Sequence, residues 1–255
     1  MNKNIKNLGT VLFFGRKNCF YSKRVKNVLQ KKSKKFYFFE SKKKGEKISK
    51  KYFKLKYDYI FCFRSFYILK NNLLKKVSNE AINFHPGPPE YRGTGCVNYA
   101  IYENSKFYGC TSHLINKKID NGKIINIKRF RINKEEGVDK VLLKTYKIMT
   151  KQAISVINQI NKNPKNIKKW VNKNKNINSF RRDLQKSHVE VLTIILLNER
   201  GYFHSDAVAL ARANLREMHS NIKESLETGL FNDYTKAHLS ECATKIQSAS
   251  NAQTV

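Results

Sequence analysis

The stretch AINFHPGPPEYRGTGCVNYAIYEN, residues 81–104, begins with an apolar run that is interrupted by a cluster of prolines. One histidine stands at the interruption. Side chains two residues apart in a strand point to the same face, so Asn83 and His85 project together. Parallel sheets carry their sites at the carboxyl ends of their strands. Pro86 fixes the exit backbone without needing a donor, and Gly87 lets that backbone approach a ligand closely. The stretch therefore predicts a strand that presents an amide and an imidazole beside a rigid loop.

Strand and helix signals alternate on both sides of this stretch. Short apolar or alternating runs that predict strands lie at 9–15, 36–41, 57–65, 81–87, 107–116 and 122–132, and helical spacing appears at 22–32, 97–104 and 138–160. The polar segment 161–176 has few helix signals and is interpreted as a connector. Strand–helix–strand repetition at this spacing predicts an α/β fold built on a parallel sheet.

The net charge of +32 invites a nucleic-acid interpretation, but the composition favours another one. Lysine is spread along the first 199 residues, while arginine, the better reader of bases and phosphates, supplies only 11 of the 51 basic residues of the chain. A basic surface also attracts small polyanions, such as nucleotide-linked substrates and polyglutamylated cofactors. The sequence has no apolar run long enough for a membrane span, and its first apolar stretch is too short for a signal peptide. We therefore expect a cytoplasmic protein with no membrane partner.

Asn83 and His85 suit acyl transfer. An amide can donate a hydrogen bond to a developing oxyanion, and an imidazole can take a proton from an attacking nucleophile. The usual missing partner is a carboxylate that orients and charge-stabilises the histidine. Asp120, in the turn sequence KIDNGKII, is the candidate because a turn between two strands can return it to the same edge of the sheet. Taken singly, each residue has a structural interpretation, since Asp before Asn-Gly is common turn chemistry.

Together the motifs resemble a known family. INFHPGPPEYRG, then an NYAIY helix, then GCTSHLINKKIDNGKII, is similar to the formyltransferases that use 10-formyltetrahydrofolate. These share an Asn-x-His-Pro, a Tyr-Arg-Gly, a Gly-x-Thr strand and an Asp-x-Gly, in this order. The resemblance covers roughly residues 9–160. His-Pro-Gly-Pro-Pro, where many members have His-Pro-Ser-Leu-Leu-Pro, is similar to the branch that formylates sugars.

The resemblance implies a Rossmann-like, mostly parallel sheet with 10-formyltetrahydrofolate as cosubstrate and a nucleotide-linked amino sugar as acceptor. It carries the catalytic roles over to Asn83, His85 and Asp120. The residues implied for cofactor binding are Phe63, Arg64, Ser65, Pro86, Gly87 and Gly93, and those implied for substrate binding are Tyr91 and Arg92. Methionyl-tRNA is an alternative acceptor, although enzymes of that type carry a β-barrel domain that the rest of this chain does not resemble.

Near residue 186 the chain changes in composition, because residues 1–199 hold the whole net charge and residues 200–255 carry six basic and six acidic side chains. We therefore predict a catalytic domain at 1–185 and a helical tail at 186–255 of different origin. An apolar stripe at 208–226 needs a partner surface, on the core or on a second chain, which leaves a homodimer open. A truncated or fused chain without catalytic activity is a further alternative. The tail histidines match no familiar metal-ligand spacing, so no metal is expected.

Overall fold

The computed structural model describes residues 7–93, 96–102, 105–133 and 136–177. The described residues belong to two compact units, and the second of these is represented only by residues 98–102. The predicted helical tail at 186–255, its apolar stripe and its histidines lie outside the described residues, so its prediction stays untested.

One sheet organises the described part of the chain. Its strands are β1 (Thr10–Arg16), β2 (Lys35–Ser41), β3 (Tyr57–Phe63), β4 (Val77–His85), β5 (Phe107–Leu114) and β6 (Ile124–Arg131). They lie side by side in the order β2-β1-β3-β4-β5-β6. The first four are parallel, and β5 and β6 run antiparallel to their neighbours. The mostly parallel α/β sheet predicted from the sequence is therefore confirmed.

The helices connect and cover these strands. They are α1 (Phe20–Lys32), α2 (Asn71–Leu74), α3 (Cys96–Tyr102), α4 (Val138–Lys162) and α5 (Asn166–Lys173), with a short 3₁₀ turn at Lys50–Phe53. Within the described ranges, no helix combines the length and the apolar content that crossing a membrane requires.

The central strands β1 and β3 bury both of their faces, which explains why they read as continuous apolar runs. On one face, side chains such as Phe13, Phe61 and Phe84 pack under α1, α4 and α5. On the other face, Phe14 and Cys62 belong to a second apolar cluster, which the 3₁₀ turn and α2 help to cover. Because residues alternate between the faces, Asn83 and His85 lie on the face opposite α4.

The prediction of a helix-poor connector at 161–176 was wrong, because α5 occupies half of it. Ile167, Trp170 and Val171 follow the i, i+3, i+4 spacing that places them on one side of a helix. Ile167 is buried in the cluster beneath α4, with Trp170 and Val171 packed against it. Lysine and asparagine hide this short apolar stripe in the sequence. Burial against the core, rather than intrinsic helix propensity, stabilises so short a helix.

Candidate active site

The site begins at the carboxyl end of β4, where the antiparallel strand β5 supplies the neighbouring side chains. Register pairs Asn83 with His113 and His85 with Thr111. Directly opposed residues of an antiparallel pair point to the same face, so these four side chains share one surface. The structure thus places the predicted amide and imidazole together, on the side of the sheet away from α4.

Asp120 reaches this surface through the connection between β5 and β6. Its backbone is left-handed, with φ of 48°, a conformation that Asp adopts more readily than most residues. Oδ2 lies 3.4 Å from Nδ1 of His85, and Oδ1 accepts a hydrogen bond of 3.0 Å from Nδ2 of Asn83. The side chain of Asp120 is only 13% exposed. The structure therefore brings together the three predicted catalytic residues, whose roles in a reaction stay predictions.

Hydrogen bonding indicates that His85 is positively charged. Nδ1 faces the Asp120 carboxylate, and Nε2 lies 3.0 Å from the backbone carbonyl of Tyr91. Both partners are acceptors, and a neutral imidazole has only one N–H, so both contacts are satisfied only by an imidazolium. Burial favours the neutral ring, but the charge of Asp120 and hydrogen bonds to the ring outweigh it and raise the pKa of His85 to about 10.

The pKa of Asp120 moves in the opposite direction. Burial alone would raise the pKa of this carboxyl group. The charge of His85 and hydrogen bonds from His113 and Asn83 outweigh burial and hold the pKa of Asp120 well below its usual range. The site therefore contains a buried ion pair whose two members stabilise each other's charged form.

His113 is the residue of this cluster that sequence reasoning missed. Its Nδ1 lies 2.8 Å from the carbonyl of Leu114 and therefore carries a hydrogen, and its Nε2 lies 3.4 Å from Oδ1 of Asp120. Nε2 lies 3.2 Å from Nδ2 of Asn83. Nδ2 of Asn83 thus lies within hydrogen-bonding distance of both Asp120 and His113. The available signal was the period-two spacing of Thr111 and His113 on a strand next to Asn83.

The loop after β4 is attached to β5. Hydroxyl groups on β5 bind the first residues of the loop. Tyr108 donates a hydrogen bond of 2.8 Å to the carbonyl of Pro86, and Thr111 donates one of 2.8 Å to the carbonyl of Gly87. A Cβ at Gly87 would lie 2.7 Å from Nε2 of His85, so only glycine fits beside the ring. The predicted loop residues Pro86 and Gly87 therefore shape the surroundings of His85.

The end of the loop reaches the turn that carries Asp120. The buried Tyr91 supplies the carbonyl that faces His85, and Arg92 donates 2.7 Å to the side chain of Asn121. Gly93 adopts a left-handed φ of 93° with open space around it. Tyr91 and Arg92 thus lie beside the site, as predicted, while their contact with a substrate stays a prediction.

The other predicted cofactor residues follow β3. Register pairs Phe63 with Phe84, so Arg64 and Ser65 leave the sheet at the edge that carries His85. The side chain of Phe63 is buried in the core, so only its backbone is available to a ligand. Ser65 lies 3.2 Å from the hydroxyl of Ser41. The guanidinium of Arg64 lies 3.6 Å over the ring of Tyr146, on the α4 side of the sheet.

Arg16 at the end of β1 joins Arg64. Its Nε donates 3.1 Å to the carbonyl of Arg64, and burial and the charge of Arg64 lower the pKa of Arg16. Within the ranges that the structure describes, the ion pairs involve other residues, so neither guanidinium has a carboxylate partner. Two such cations at one edge of the sheet can bind an anionic group of a ligand.

The described residues contain no group of three or more His, Cys, Asp or Glu side chains placed to hold a metal ion. The side chains brought together at this edge include the ion pair, the amide and the two arginines.

The family model for formyl transferase matches residues 13–157, which include β4, Asp120 and most of α4. A curated relative, the bifunctional polymyxin resistance protein ArnA of Wigglesworthia glossinidia brevipalpis, is 34% identical over 84 residues. That match covers 32% of this chain and 13% of the relative, so the chain spans only a small part of the relative's length.

Solved structures share the fold. Glycinamide ribonucleotide transformylase 1 from Symbiobacterium toebii has a TM-score of 0.53 at 11% identity, over 64% of this chain and 92% of that one. An N-formyltransferase from Helicobacter canadensis, in complex with folinic acid and dTDP-3-aminofucose, has a TM-score of 0.50 at 20% identity, over 70% of this chain and 73% of that one. At these identities the likeness establishes the fold.

Proposed function

Because this chain belongs to the formyl transferase family, we propose that it transfers a formyl group from 10-formyltetrahydrofolate to the amine of a nucleotide-linked amino sugar. The observation that carries the proposal is the largely enclosed cluster of Asn83, His85 and Asp120 at the carboxyl edge of the sheet, in which His85 is buried. An oriented cation beside an amide can stabilise a tetrahedral, negatively charged intermediate.

The reaction needs one bond formed and one broken. The acceptor amine attacks the formyl carbon, and collapse of the tetrahedral intermediate breaks the bond from that carbon to N10 of the folate. The developing oxyanion is stabilised by the charge of His85 and by an N–H of Asn83. In the structure Nδ2 of Asn83 donates to Asp120 and lies 3.2 Å from Nε2 of His113, so donation to the oxyanion requires Asn83 to give up one of these contacts.

The charged state of His85 changes the role expected from the sequence. A ring that already holds two protons cannot begin by taking one from the amine. It can give its proton to N10 as that nitrogen leaves, and then take the proton that the amine releases, directly or through water. Asp120 keeps the ring oriented and favours its charged form throughout.

Three observations support an anionic acceptor such as a sugar nucleotide. Arg16 and Arg64 lie at the same edge as His85 without carboxylate partners in the described part of the chain. The loop sequence His-Pro-Gly-Pro-Pro is similar to that of the sugar-formylating branch. The Helicobacter canadensis protein of the same fold is described in complex with a dTDP-linked amino sugar.

The test is to incubate the full chain with 10-formyltetrahydrofolate and a panel of nucleotide-linked 3-amino and 4-amino sugars. We expect mass spectrometry to detect the gain of one formyl group on a member of this panel. Glycinamide ribonucleotide and methionyl-tRNA are included as competing acceptors. The His85→Ala variant, checked for folding by circular dichroism, should give no product. Formylation of either competing acceptor without any sugar product would overturn the sugar-nucleotide proposal.

The pH dependence of kcat/KM should be bell-shaped. Activity should rise with pH as the acceptor amine loses its proton, because only the neutral amine is a nucleophile. It should fall again near pH 10, where His85 loses the proton that makes it a cation. A profile that stays flat down to about pH 5 would contradict the amine step, and one that stays flat up to about pH 11 would contradict the cationic role of His85.

A further inference from the structure

Cys96 is a thiol at the active site that neither the family motifs nor the proposed mechanism uses. It is the first residue of α3, and it is 7% exposed. A Cβ built at Gly87 would lie 2.7 Å from Nε2 of His85 and 3.2 Å from Sγ of Cys96, so the imidazole edge and the sulfur flank the same small gap. The two side chains are close enough to influence each other's charge.

The sulfur has suitable partners for both of its hydrogen-bonding roles. Its S–H can donate to the carbonyl of Pro86, which lies 3.5 Å from Sγ. Its lone pairs are then available to the Nε2–H of His85, which the Tyr91 carbonyl also accepts. The imidazolium therefore lies between a carboxylate on its Nδ1 edge and a thiol and a carbonyl on its Nε2 edge.

We propose that Cys96 is a positioning residue for His85: its sulfur holds the Nε2 edge of the ring and helps to keep the ring protonated. The effect of Cys96 on catalysis rests on the proposed formyl transfer. The interaction between Cys96 and His85 does not depend on that function. The titratable groups that face this pair are Asp120 across the ring, His113 beyond Asp120, Tyr108 from β5, and Tyr91 from the loop.

The electrostatics of the described cysteines distinguish Cys96. Burial raises the pKa of Cys62 and of Cys110, which pack in the apolar clusters. Burial acts on Cys96 in the same sense, but the hydrogen bond and the charge of His85 outweigh it and lower the pKa of this thiol. In return, Cys96 contributes to the raised pKa of His85. The interaction is thus mutual, as expected of a coupled pair.

The direct test is an NMR titration of His85 in the full chain, which requires no substrate. The His85 signal is assigned by its absence from the spectrum of His85→Gln. We expect Cys96→Ala to lower the pKa of His85 by about one, the coupling typical of a Cys–His pair in contact. Cys96→Ser should restore part of the difference, because a hydroxyl can accept the Nε2–H bond but does not become an anion.

Cys19→Ser is the matched control. Cys19 is a buried thiol that caps α1 and contacts Arg64, and serine is a good helix cap. This variant should leave the pKa of His85 unchanged. An unchanged pKa in both folded Cys96 variants would overturn the proposal, and Cys96→Ser remains decisive if the alanine variant does not fold.

A second readout connects the pair with catalysis. In an active enzyme, Cys96→Ala should move the alkaline limb of the kcat/KM profile to lower pH. The shift should equal the fall in the pKa of His85 that NMR measures. If no formyl transfer is found with any acceptor, the NMR result still stands alone, so failure of the proposed function and failure of this inference are distinguishable. An alkaline limb that does not move although the pKa of His85 falls would overturn the catalytic consequence.

Discussion

Replacing Asp120 with asparagine should lower kcat by about three to four orders of magnitude, the size of effect found when a carboxylate that orients a catalytic histidine becomes an amide. The carboxylate contacts Nδ1 of His85 through one oxygen and accepts from Asn83 through the other. An amide keeps the shape but removes the charge, so the pKa of His85 should fall towards its ordinary value. The ring would then be neutral over the pH range in which it now holds its proton.

The fall in the pKa of His85 can be measured separately from the loss of kcat, through the pH dependence of stability. Because the pKa of His85 is raised in the folded state, its stabilising contribution is complete below an unfolded pKa of about 6.5 and is lost as pH rises through the folded value, about 10. Wild-type unfolding free energy should therefore decline between these pH values, and that of Asp120→Asn should decline less.

The control for this substitution is Asp139→Asn, which makes the same chemical change in the first turn of α4. It should alter neither kcat nor the pH dependence of stability across this window. Near wild-type kcat in Asp120→Asn would contradict the central place given to the ion pair.

Replacing Gly122 with alanine should displace Asp120 without touching its chemistry. A Cβ at this position would lie 1.5 Å from the backbone carbonyl oxygen of Leu114, a contact that no side-chain rotation can relieve. The chain must therefore open between β5 and β6, where Leu114 now donates 2.9 Å to the carbonyl of Lys123. We expect a loss of about 1–3 kcal/mol in unfolding free energy, typical of overpacking, together with a loss of activity approaching that of Asp120→Asn.

Gly45→Ala is the matched comparison for Gly122. Gly45 has a left-handed φ of 75° but nothing within 4 Å of its built Cβ. Its substitution should cost only the backbone term of about 1 kcal/mol and leave kcat unchanged. Urea unfolding and steady-state kinetics measure both quantities. Wild-type stability and activity in Gly122→Ala would contradict the argument that the close approach fixes the Asp120 turn.

Family and fold were both accessible from the sequence. The resemblance drawn from the Asn-x-His-Pro, Tyr-Arg-Gly, Gly-x-Thr and Asp-x-Gly elements is confirmed by the match over residues 13–157. The strand order confirms the mostly parallel α/β sheet. The prediction failed at α5, where three apolar side chains among lysines and asparagines form a helix only because the core offers them a surface.

What the sequence determined by itself was local. The two-residue period of a strand placed Asn83 and His85 on one face, and the turn residues around Asp120 marked a reversal between two strands. Such features depend on neighbours a few residues apart, so a linear pattern contains them.

Tertiary structure decided which distant groups meet and in what charge state. His113 reaches Asn83 because β5 pairs antiparallel with β4, and Cys96 and His85 flank the same small gap because the loop folds back at Gly87. The charge of His85 follows from burial between Asp120 and acceptors on its other edge. Burial and interatomic distance set a pKa, and neither is a property of the residue's place in the sequence.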